Sequence, residues 1–326
     1  MDWRRVAPFA CSYLDVLMSR KILITGANGF VARHLVSALK AVGDEIVGVD
    51  VGRDAAWAVD RYYGCNLLGA EAIKIILTIE RPDVIVHLAA VSSVAQSWKS
   101  PVESFLNNTN IFLNVVEAVR ALGLRTRILS VGSSEEYGNI PSSDVPIREE
   151  HPLAPASPYA VARVSQEQLS SLYAKGFGLD VVMTRSFNQI GPGQRTDFVV
   201  PSFLAQLKKG KDAGQKVVRV QVGDLSIVRD FLDVRDAVAA YLLLIDRGVS
   251  GEVYNICSGV GRTLNEVLGI VARIVGIEVE ACVDPQRIRP ADNKVILGSN
   301  EKMRQLGWCP TYTLEASLQD MLASLG

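Results

Sequence analysis

A short apolar strand, followed at once by a glycine-rich turn and an amphipathic helix, most constrains the fold of this chain. Within Lys21–Thr25 the three central residues are all apolar, as expected of a strand buried on both faces of a parallel sheet. Residues 25–30 read Thr-Gly-Ala-Asn-Gly-Phe, and apolar residues then recur at helical spacing from Val31 to Val42. Strand, tight turn and helix in this order predict the first half of a βαβ unit.

The alternation of strand and helix continues to about residue 186. Further strands are predicted at residues 45–50, 84–87, 127–131 and 181–184, and helices at residues 67–80, 102–122 and 158–175. This order predicts an α/β fold, a Rossmann-type doubly wound parallel sheet with helices on both faces. After residue 186 the loops lengthen and Gly and Pro become more frequent, which indicates a smaller C-terminal α/β lobe that binds the substrate.

These patterns predict the domain organisation. Residues 1–17 are expected to be an N-terminal tail, because regular structure begins just after Met18. Residues 18–186 are expected to form the dinucleotide-binding domain and residues 187–326 the substrate-binding lobe. A segment at about 226–256 is expected to return to the first domain.

The glycine turn has the features of a pyrophosphate site. Gly26 permits the tight turn, Gly29 lets the backbone approach the phosphates, and the helix N-terminus supplies N–H groups and a partial positive charge. Ala32 replaces the usual third glycine and is still small enough for close helix–strand packing. Asp50 ends the next strand, where a carboxylate accepts hydrogen bonds from ribose hydroxyls and repels a 2′-phosphate. NAD(H) is therefore favoured, with NADP(H) left open by the nearby Arg53.

The composition argues against several other classes of protein. Lys and Arg number 34 and Asp and Glu 35, for a formal net charge of −1, which gives no reason to expect nucleic acid or an anionic membrane as partner. The five cysteines are scattered and only three histidines occur, so neither a disulfide framework nor a metal site is predicted. Apolar runs stay below the ~18–20 residues of a membrane span, and Asp15 interrupts the apolar stretch near the start. A cytoplasmic location is expected.

A serine, a tyrosine and a cation carry the predicted chemistry. Tyr159 and Arg163 are four residues apart at the start of a predicted helix and so share a face, and Ser133 follows the strand at 127–131. Reducing a ketone needs a hydride at carbon and a proton at oxygen, for which Tyr159 is the candidate acid. Tyrosine's ordinary pKa of ~10 is too high for this work near neutrality, but a fixed cation one turn away favours the tyrosinate. Ser133 would hold the carbonyl oxygen with a second hydrogen bond.

This pattern resembles the Ser…Tyr-x-x-x-Lys signature of the short-chain dehydrogenase/reductases. Over about residues 20–325 the chain resembles the extended, nucleotide-sugar branch of that family. The segments that carry the resemblance are residues 25–30, 87–90, 132–138, 157–159, 185–193, 229–231, 233–236 and 289–290, together with Asn108. The chain departs from the family at Arg163, where lysine is usual. Arginine keeps the positive charge but is planar and cannot give up a proton.

Within this branch the chain most resembles the GDP-4-dehydro-6-deoxy-D-mannose reductases. That likeness rests on residues 132–138, 187–194, 228–231 and 254–259, with Ser92, Ser93, Val94, Ser97 and Trp98. It implies reduction of the 4-keto group of a GDP-4-dehydro-6-deoxy-hexose by NAD(P)H, which converts GDP-4-dehydro-6-deoxy-D-mannose to GDP-D-rhamnose.

The resemblance also assigns residues to the two ligands. Those expected to bind the cofactor are Gly26, Asn28, Gly29, Phe30, Asp50, Leu67, Ala89, Ala90, Tyr159 and Arg163. Those expected to bind the GDP-sugar are Ser93, Ser134, Asn188, Val200, Arg229 and Arg289, the two arginines gripping the diphosphate. The helices at 102–122 and 158–175 carry apolar faces beyond what the sheet buries, and in similar proteins they pair as a four-helix bundle. A homodimer is therefore predicted.

Two other functions stay open. The first is a 4,6-dehydratase or 4-epimerase that keeps its NAD and returns the hydride. Glu135 could act as the base that a dehydratase needs, whereas Ser134 cannot protonate a leaving hydroxide as a carboxylic acid would, although GDP-mannose dehydratases tolerate a serine there. The second is a non-catalytic dinucleotide-binding sensor, suggested by Arg163 alone.

Overall fold

The computed structural model of the protein describes residues 19–287 and 293–325. The predicted tail at residues 1–17 and the predicted substrate residue Arg289 lie outside the described residues. The described chain falls into two compact units, the first made of residues up to 132, 158–184 and 241–253, and the second of residues 133–157, 185–240 and 254 onward.

The secondary structure follows the predicted alternation in the first half of the chain and becomes more mixed in the second. The strands are β1 (Lys21–Thr25), β2 (Glu45–Asp50), β3 (Arg61–Gly64), β4 (Val84–His87), β5 (Arg127–Ser133), β6 (Val181–Ser186), β7 (Asn188–Ile190), β8 (Val217–Val222), β9 (Val228–Asp233), β10 (Val253–Ile256), β11 (Gly261–Thr263), β12 (Glu278–Val283) and β13 (Val295–Ile296). The α-helices are α1 (Phe30–Val42), α2 (Ala70–Glu80), α3 (Val94–Lys99), α4 (Pro101–Phe105), α5 (Ile111–Ala121), α6 (Pro158–Phe177), α7 (Val199–Asp212), α8 (Val234–Arg247), α9 (Leu264–Val275), α10 (Glu301–Gln305) and α11 (Leu314–Ser324).

The largest sheet among the described residues has seven strands in the order β10-β6-β5-β4-β1-β2-β3, of which β1 to β4 lie wholly in the first unit. Strand β1 pairs in parallel with both β2 and β4, β2 pairs in parallel with β3, and β4 with β5. The strand order therefore reverses beside β1, and in open α/β sheets ligands bind at the carboxyl ends of the strands at such a point. The predicted Rossmann-type α/β fold is confirmed.

Burial explains why the first strand and helix form as the sequence predicts. Ile22, Leu23 and Ile24 of β1 are fully buried, as the continuous apolar run requires. Helix α1 buries Leu35 and Leu39, which lie one turn apart on its sheet-facing side. The helix ends at Gly43, whose left-handed backbone (φ 87°) closes the last turn.

The second unit is also α/β. Its strands form one sheet with the order β11-β9-β13, in which β7 pairs with β9, and a two-stranded parallel sheet of β12 and β8. Its core is an apolar cluster from α7, β8 and α9, with Phe203, Leu204, Val220 and Val271 almost completely buried. Among the described residues, no helix is long and apolar enough to cross a membrane.

Four local features differ from the sequence predictions. Strand β3 and the six-residue helix α3 were not predicted. Helix α2 begins at Ala70 rather than Leu67 because Gly69 is its N-cap. The single helix predicted at 102–122 is interrupted by a π-helical segment, Leu106–Asn110, between α4 and α5. Such π-helical segments are frequent at functional sites.

Candidate active site

The backbone of the glycine turn lies close to the segment that follows β4. Gly26 has φ 71°, and a Cβ built on it would lie 2.7 Å from the Ala89 nitrogen. Gly29 is the N-cap of α1, and within the described chain no side chain caps this helix and no acidic residue occupies its first turn. The leading N–H groups of α1 therefore suit an anion. A backbone cradle that a Cβ would fill, at a helix N-terminus, fits the pyrophosphate of a dinucleotide.

Asn28 connects the glycine turn to the loop after β2. Its side-chain Nδ2 donates to the Asp54 carbonyl (3.1 Å) and to the Tyr62 hydroxyl (2.9 Å), and its Oδ1 accepts from the Ala56 N–H (2.8 Å). The side-chain amide of this predicted cofactor residue therefore makes its hydrogen bonds within the protein. Its contribution to a ligand would come through the shape of the turn.

Asp50 is partly exposed at the carboxyl end of β2. One carboxylate oxygen accepts from the Asn28 N–H (2.9 Å) and the other from the Val51 N–H (2.7 Å). Each carboxylate oxygen has more than one lone pair, so both can still accept from ribose hydroxyls. Arg53, the residue that leaves NADP(H) open, is exposed.

The other predicted cofactor residues lie in the same unit. The Phe30 ring meets His34 edge-on, with ring centroids 5.5 Å apart. The Ala89 N–H donates to the Thr25 hydroxyl (3.3 Å), and the neighbouring Ala90 is half-buried. Leu67 is only 4% exposed, and its side chain packs in the apolar core of this unit.

Tyr159 and Arg163 are in direct contact on the first turns of α6. Pro158 begins the helix, as a proline at the first helical position should. Arg163 Nε donates to the Tyr159 hydroxyl oxygen at 3.2 Å, and both residues are almost completely buried. A positively charged guanidinium therefore lies within hydrogen-bond distance of the phenol oxygen in a largely water-free place.

His87 is a buried core histidine, as the end of a buried strand suggests. Its Nδ1 lies 2.9 Å from the Thr25 hydroxyl, and its ring packs edge-on against Phe112. Burial, and secondarily the positive charge of Arg163, lowers the pKa of His87 to about 3. The imidazole of His87 is therefore neutral at physiological pH and does not repel the Arg163 guanidinium.

Ser133 lies at the start of the second unit, where it caps a short 3₁₀ helix, Ser134–Tyr137. Its hydroxyl oxygen accepts from the Glu135 N–H (3.3 Å), and its own N–H donates to Glu136 Oε1 (2.7 Å). This is a capping box, with the Ser-x-x-Glu spacing that signals one in a sequence. The Ser133 hydroxyl hydrogen makes no hydrogen bond to the described chain, so it can donate to a ligand. Glu136 was missed by the sequence analysis although its spacing was visible.

The predicted substrate residues of the second unit have different surroundings. Arg229 is buried, and its Nη1 donates to the Asn293 carbonyl (2.7 Å). Asn188 lies on β7 opposite Phe231 of β9 and is partly exposed. Val200 is 1% exposed and packs in the apolar core of this unit.

The two remaining predicted substrate residues of the described chain are also in defined positions. Ser134 is almost completely buried in the 3₁₀ helix. Ser93, in the first unit, caps α3 by accepting from the Gln96 N–H (3.2 Å). The described residues contain no group of three or more His, Cys, Asp or Glu side chains able to hold a metal ion.

The structure thus brings together two predicted groups within the first unit, the glycine turn with Asn28 and Asp50, and the pair Tyr159 and Arg163. A glycine turn at the point where a parallel strand order reverses defines a Rossmann-type dinucleotide-binding protein. The chain belongs to the NAD dependent epimerase/dehydratase family, whose model matches residues 22–257.

Known relatives place it among NAD(P)-dependent nucleotide-sugar enzymes. It is 33% identical to the GDP-6-deoxy-D-mannose reductase of Pseudomonas aeruginosa, over 94% of this chain and 97% of that protein. A solved structure of RMD from Pseudomonas aeruginosa with NADPH has a TM-score of 0.83 and 32% identity, covering 94% of this chain and 98% of the other. The UDP-glucose 4-epimerase of Thermotoga maritima with UDP-glucose has a TM-score of 0.85 and 28% identity, with the same two coverages of 94% and 98%. The predicted family and the predicted use of NAD(P) are confirmed.

Proposed function

We propose that the protein reduces the 4-keto group of GDP-4-dehydro-6-deoxy-D-mannose, giving GDP-D-rhamnose, with NADH or NADPH as reductant. The observation that carries the proposal is the buried 3.2 Å hydrogen bond from Arg163 Nε to the Tyr159 hydroxyl, which equips the tyrosine as an acid. The choice of substrate is supported by the 33% identity to a GDP-6-deoxy-D-mannose reductase over 94% of the chain.

The residues of the chain account for the proton in this reaction. Reduced NAD(P), when bound, supplies the hydride to C4. Tyr159 donates its hydroxyl proton to the ketone oxygen, which becomes the alcohol, and a tyrosinate remains. Arg163 stabilises that tyrosinate because its Nε already donates to the same oxygen. Since arginine cannot give up a proton, the proton that restores Tyr159 comes from solvent. Ser133 is assigned the second hydrogen bond to the ketone oxygen.

The negative charges of the substrate are assigned to binding by residues of the second unit. A nucleoside diphosphate is negatively charged. Because this chain has a net charge of −1, positively charged side chains must lie close to the diphosphate. Arg229 is assigned to the diphosphate together with Arg289, since guanidinium groups bind phosphate oxygens in a bidentate manner. Asn188 is assigned a polar contact to the diphosphate or the sugar, and Ser93 and Ser134 contacts to the sugar.

One assay distinguishes this function from its alternatives. GDP-4-dehydro-6-deoxy-D-mannose is supplied with NADH or NADPH, and the absorbance of the reduced nicotinamide is followed. The expected result is a loss of absorbance stoichiometric with GDP-D-rhamnose formed. Conversion of GDP-mannose without net change in the cofactor would instead identify a dehydratase. Conversion of UDP-glucose without net change would identify an epimerase, and cofactor binding with none of these reactions would leave a sensor.

We further propose that the protein is a homodimer. On α6, Val161 is 43% exposed and Leu172 56% exposed, and they are about three turns apart on one face. Phe105 and Leu106, which precede α5, are each 38% exposed. Apolar side chains repeated on one helix face favour a protein partner. Light scattering at micromolar concentration is expected to give twice the chain mass of 35.4 kDa. Leu172→Glu should shift the mass toward the monomer, and a monomeric wild-type protein would contradict the proposal.

A further inference from the structure

The guanidinium of Arg163 is held by more than its contact with Tyr159. Its Nη1 donates to the Gln166 side-chain Oε1 (2.5 Å) and to the Val131 carbonyl (3.2 Å). Gln166 lies one turn further along α6, and Val131 lies on β5. Nη1 of the guanidinium therefore has two defined acceptors.

The Gln166 amide is itself fixed. Its Nε2 donates to the Ser130 hydroxyl (2.9 Å) and to the Val131 carbonyl (3.2 Å). Ser170, on the next turn of α6, has its hydroxyl oxygen 3.0 Å from that of Ser130. Gln166 is 1% exposed, Ser130 2% and Ser170 0%. The Val131 carbonyl can only accept and Arg163 Nη1 can only donate, so the amide is oriented with Nε2 toward Val131 and Oε1 toward Arg163.

This arrangement leaves one nitrogen of the guanidinium for a ligand. Nε is used by Tyr159 and Nη1 by Gln166 and Val131, while Nη2 makes no hydrogen bond to the part of the chain that the structure describes. Nη2 is not among the fully buried donors, so it remains accessible to a bound group. A ribose hydroxyl of the dinucleotide has the required acceptor.

An arginine at position 163 needs neighbouring groups to fix its orientation, whereas a lysine does not. A guanidinium is planar, and its donors point in fixed directions, so rotation of the plane moves Nε away from its acceptor. An ammonium is a compact charge with donors around it, and its effect on a neighbouring phenolate depends little on rotation. The family's lysine at this position could therefore work without Gln166.

We propose that Gln166 is a positioning residue that fixes the plane of the Arg163 guanidinium, keeping Nε at the Tyr159 hydroxyl and Nη2 directed at a ribose hydroxyl of the cofactor. The assignment rests on the proposed roles of Tyr159 and Arg163. It explains how arginine replaces lysine here: Gln166, Ser130 and Ser170 supply the orientation that a planar group requires.

A double-mutant cycle tests this proposal. Gln166→Met keeps the side-chain volume and removes the amide, and it is made in the wild-type protein and in Arg163→Lys. In the wild-type background, it is expected to lower kcat about tenfold, to leave the KM for the keto sugar within about twofold, and to weaken NADPH binding about fivefold. In the Arg163→Lys background, each effect should fall below about twofold. Gln168→Met, at an exposed site on the same helix, is the matched control and should change nothing.

The outcomes separate positioning from general support of the fold. Equal losses in both backgrounds would show that Gln166 merely packs the helix, and no loss in the wild-type background would show that the amide orients nothing. If Gln166→Met lowers the melting temperature, Ser130→Ala is the milder variant, because it removes an acceptor from the amide and leaves Gln166 in place. It should weaken NADPH binding about twofold to threefold with Arg163 and leave it unchanged in Arg163→Lys. If the wild type reduces no keto sugar, the proposed function fails, but NADPH affinity, measured by fluorescence, still decides the role of Gln166.

Discussion

Replacing Tyr159 with phenylalanine is expected to lower kcat by about 10²- to 10⁴-fold, the usual contribution of a positioned general acid. The ring still fits its buried place, but the hydroxyl that carries the proton is gone. The dissociation constant of the cofactor should change much less, because the glycine turn and Asp50 are untouched. Stopped assays of GDP-D-rhamnose formation and fluorescence titration with NADPH measure the two quantities separately.

Tyr173→Phe is the matched control for this substitution. Tyr173 lies on the same helix and is also buried, but its hydroxyl donates to Glu117 at 2.8 Å and has no assigned role in the reaction. Its loss should leave kcat within about twofold of wild type, at a cost in stability of about 1 kcal/mol for one hydrogen bond. If Tyr159→Phe turned over as fast as Tyr173→Phe, another group would be the proton donor and the proposed role of Arg163 would fall with it.

Gly26→Ala is expected to weaken NADPH binding by at least about 100-fold. The backbone at Gly26 has φ 71°, which costs an L-residue about 1–2 kcal/mol. The new Cβ would also lie 2.7 Å from the Ala89 nitrogen and 2.9 Å from the Ala89 Cα. Those are backbone atoms, so the turn itself has to move, and with it the N–H groups that are proposed to bind the pyrophosphate.

Gly43→Ala separates the backbone cost from the contact. Gly43 has φ 87°, and a Cβ there would meet no atom within 4 Å. Thermal unfolding should show both variants destabilised by the unfavourable φ, whereas only Gly26→Ala should lose affinity in a fluorescence titration. Normal binding by Gly26→Ala would mean that the pyrophosphate is not bound at this turn.

Much of the first unit could be predicted from the sequence because its signals are local. Strands β1, β2 and β4 have the bounds that their sequence patterns predicted. Strand β3 was missed because Arg61–Gly64 is short and only partly buried at the edge of the sheet, so no apolar run marks it. The π-helical segment at 106–110 was missed because its sequence continues the helical pattern on either side.

The candidate site was predictable to the extent that its residues occur in a fixed spacing. Tyr159 and Arg163 are one helical turn apart, and their hydrogen bond follows from that spacing. Gln166 was missed because a glutamine on a helix is usually solvated, and its burial depends on Ser130, which is 36 residues away in sequence. The side-chain hydrogen bonds of Asn28 were missed for the same reason, since their partners lie in the loop after β2 and on β3, 26 to 34 residues further along.

The hydrogen bond from the Asn28 N–H to the Asp50 carboxylate, 2.9 Å long, links two properties that are often treated as separable. Exchanging Asp50 for a small neutral residue would remove the repulsion of a 2′-phosphate, which is the simplest way to redesign such a site for NADP(H). In this chain the same exchange also removes an acceptor from the phosphate turn. On the proposed roles of these residues, coenzyme preference and binding of the pyrophosphate are expected to change together. We therefore expect a change of coenzyme preference in this chain to need a compensating substitution near residue 28 as well as the one at residue 50.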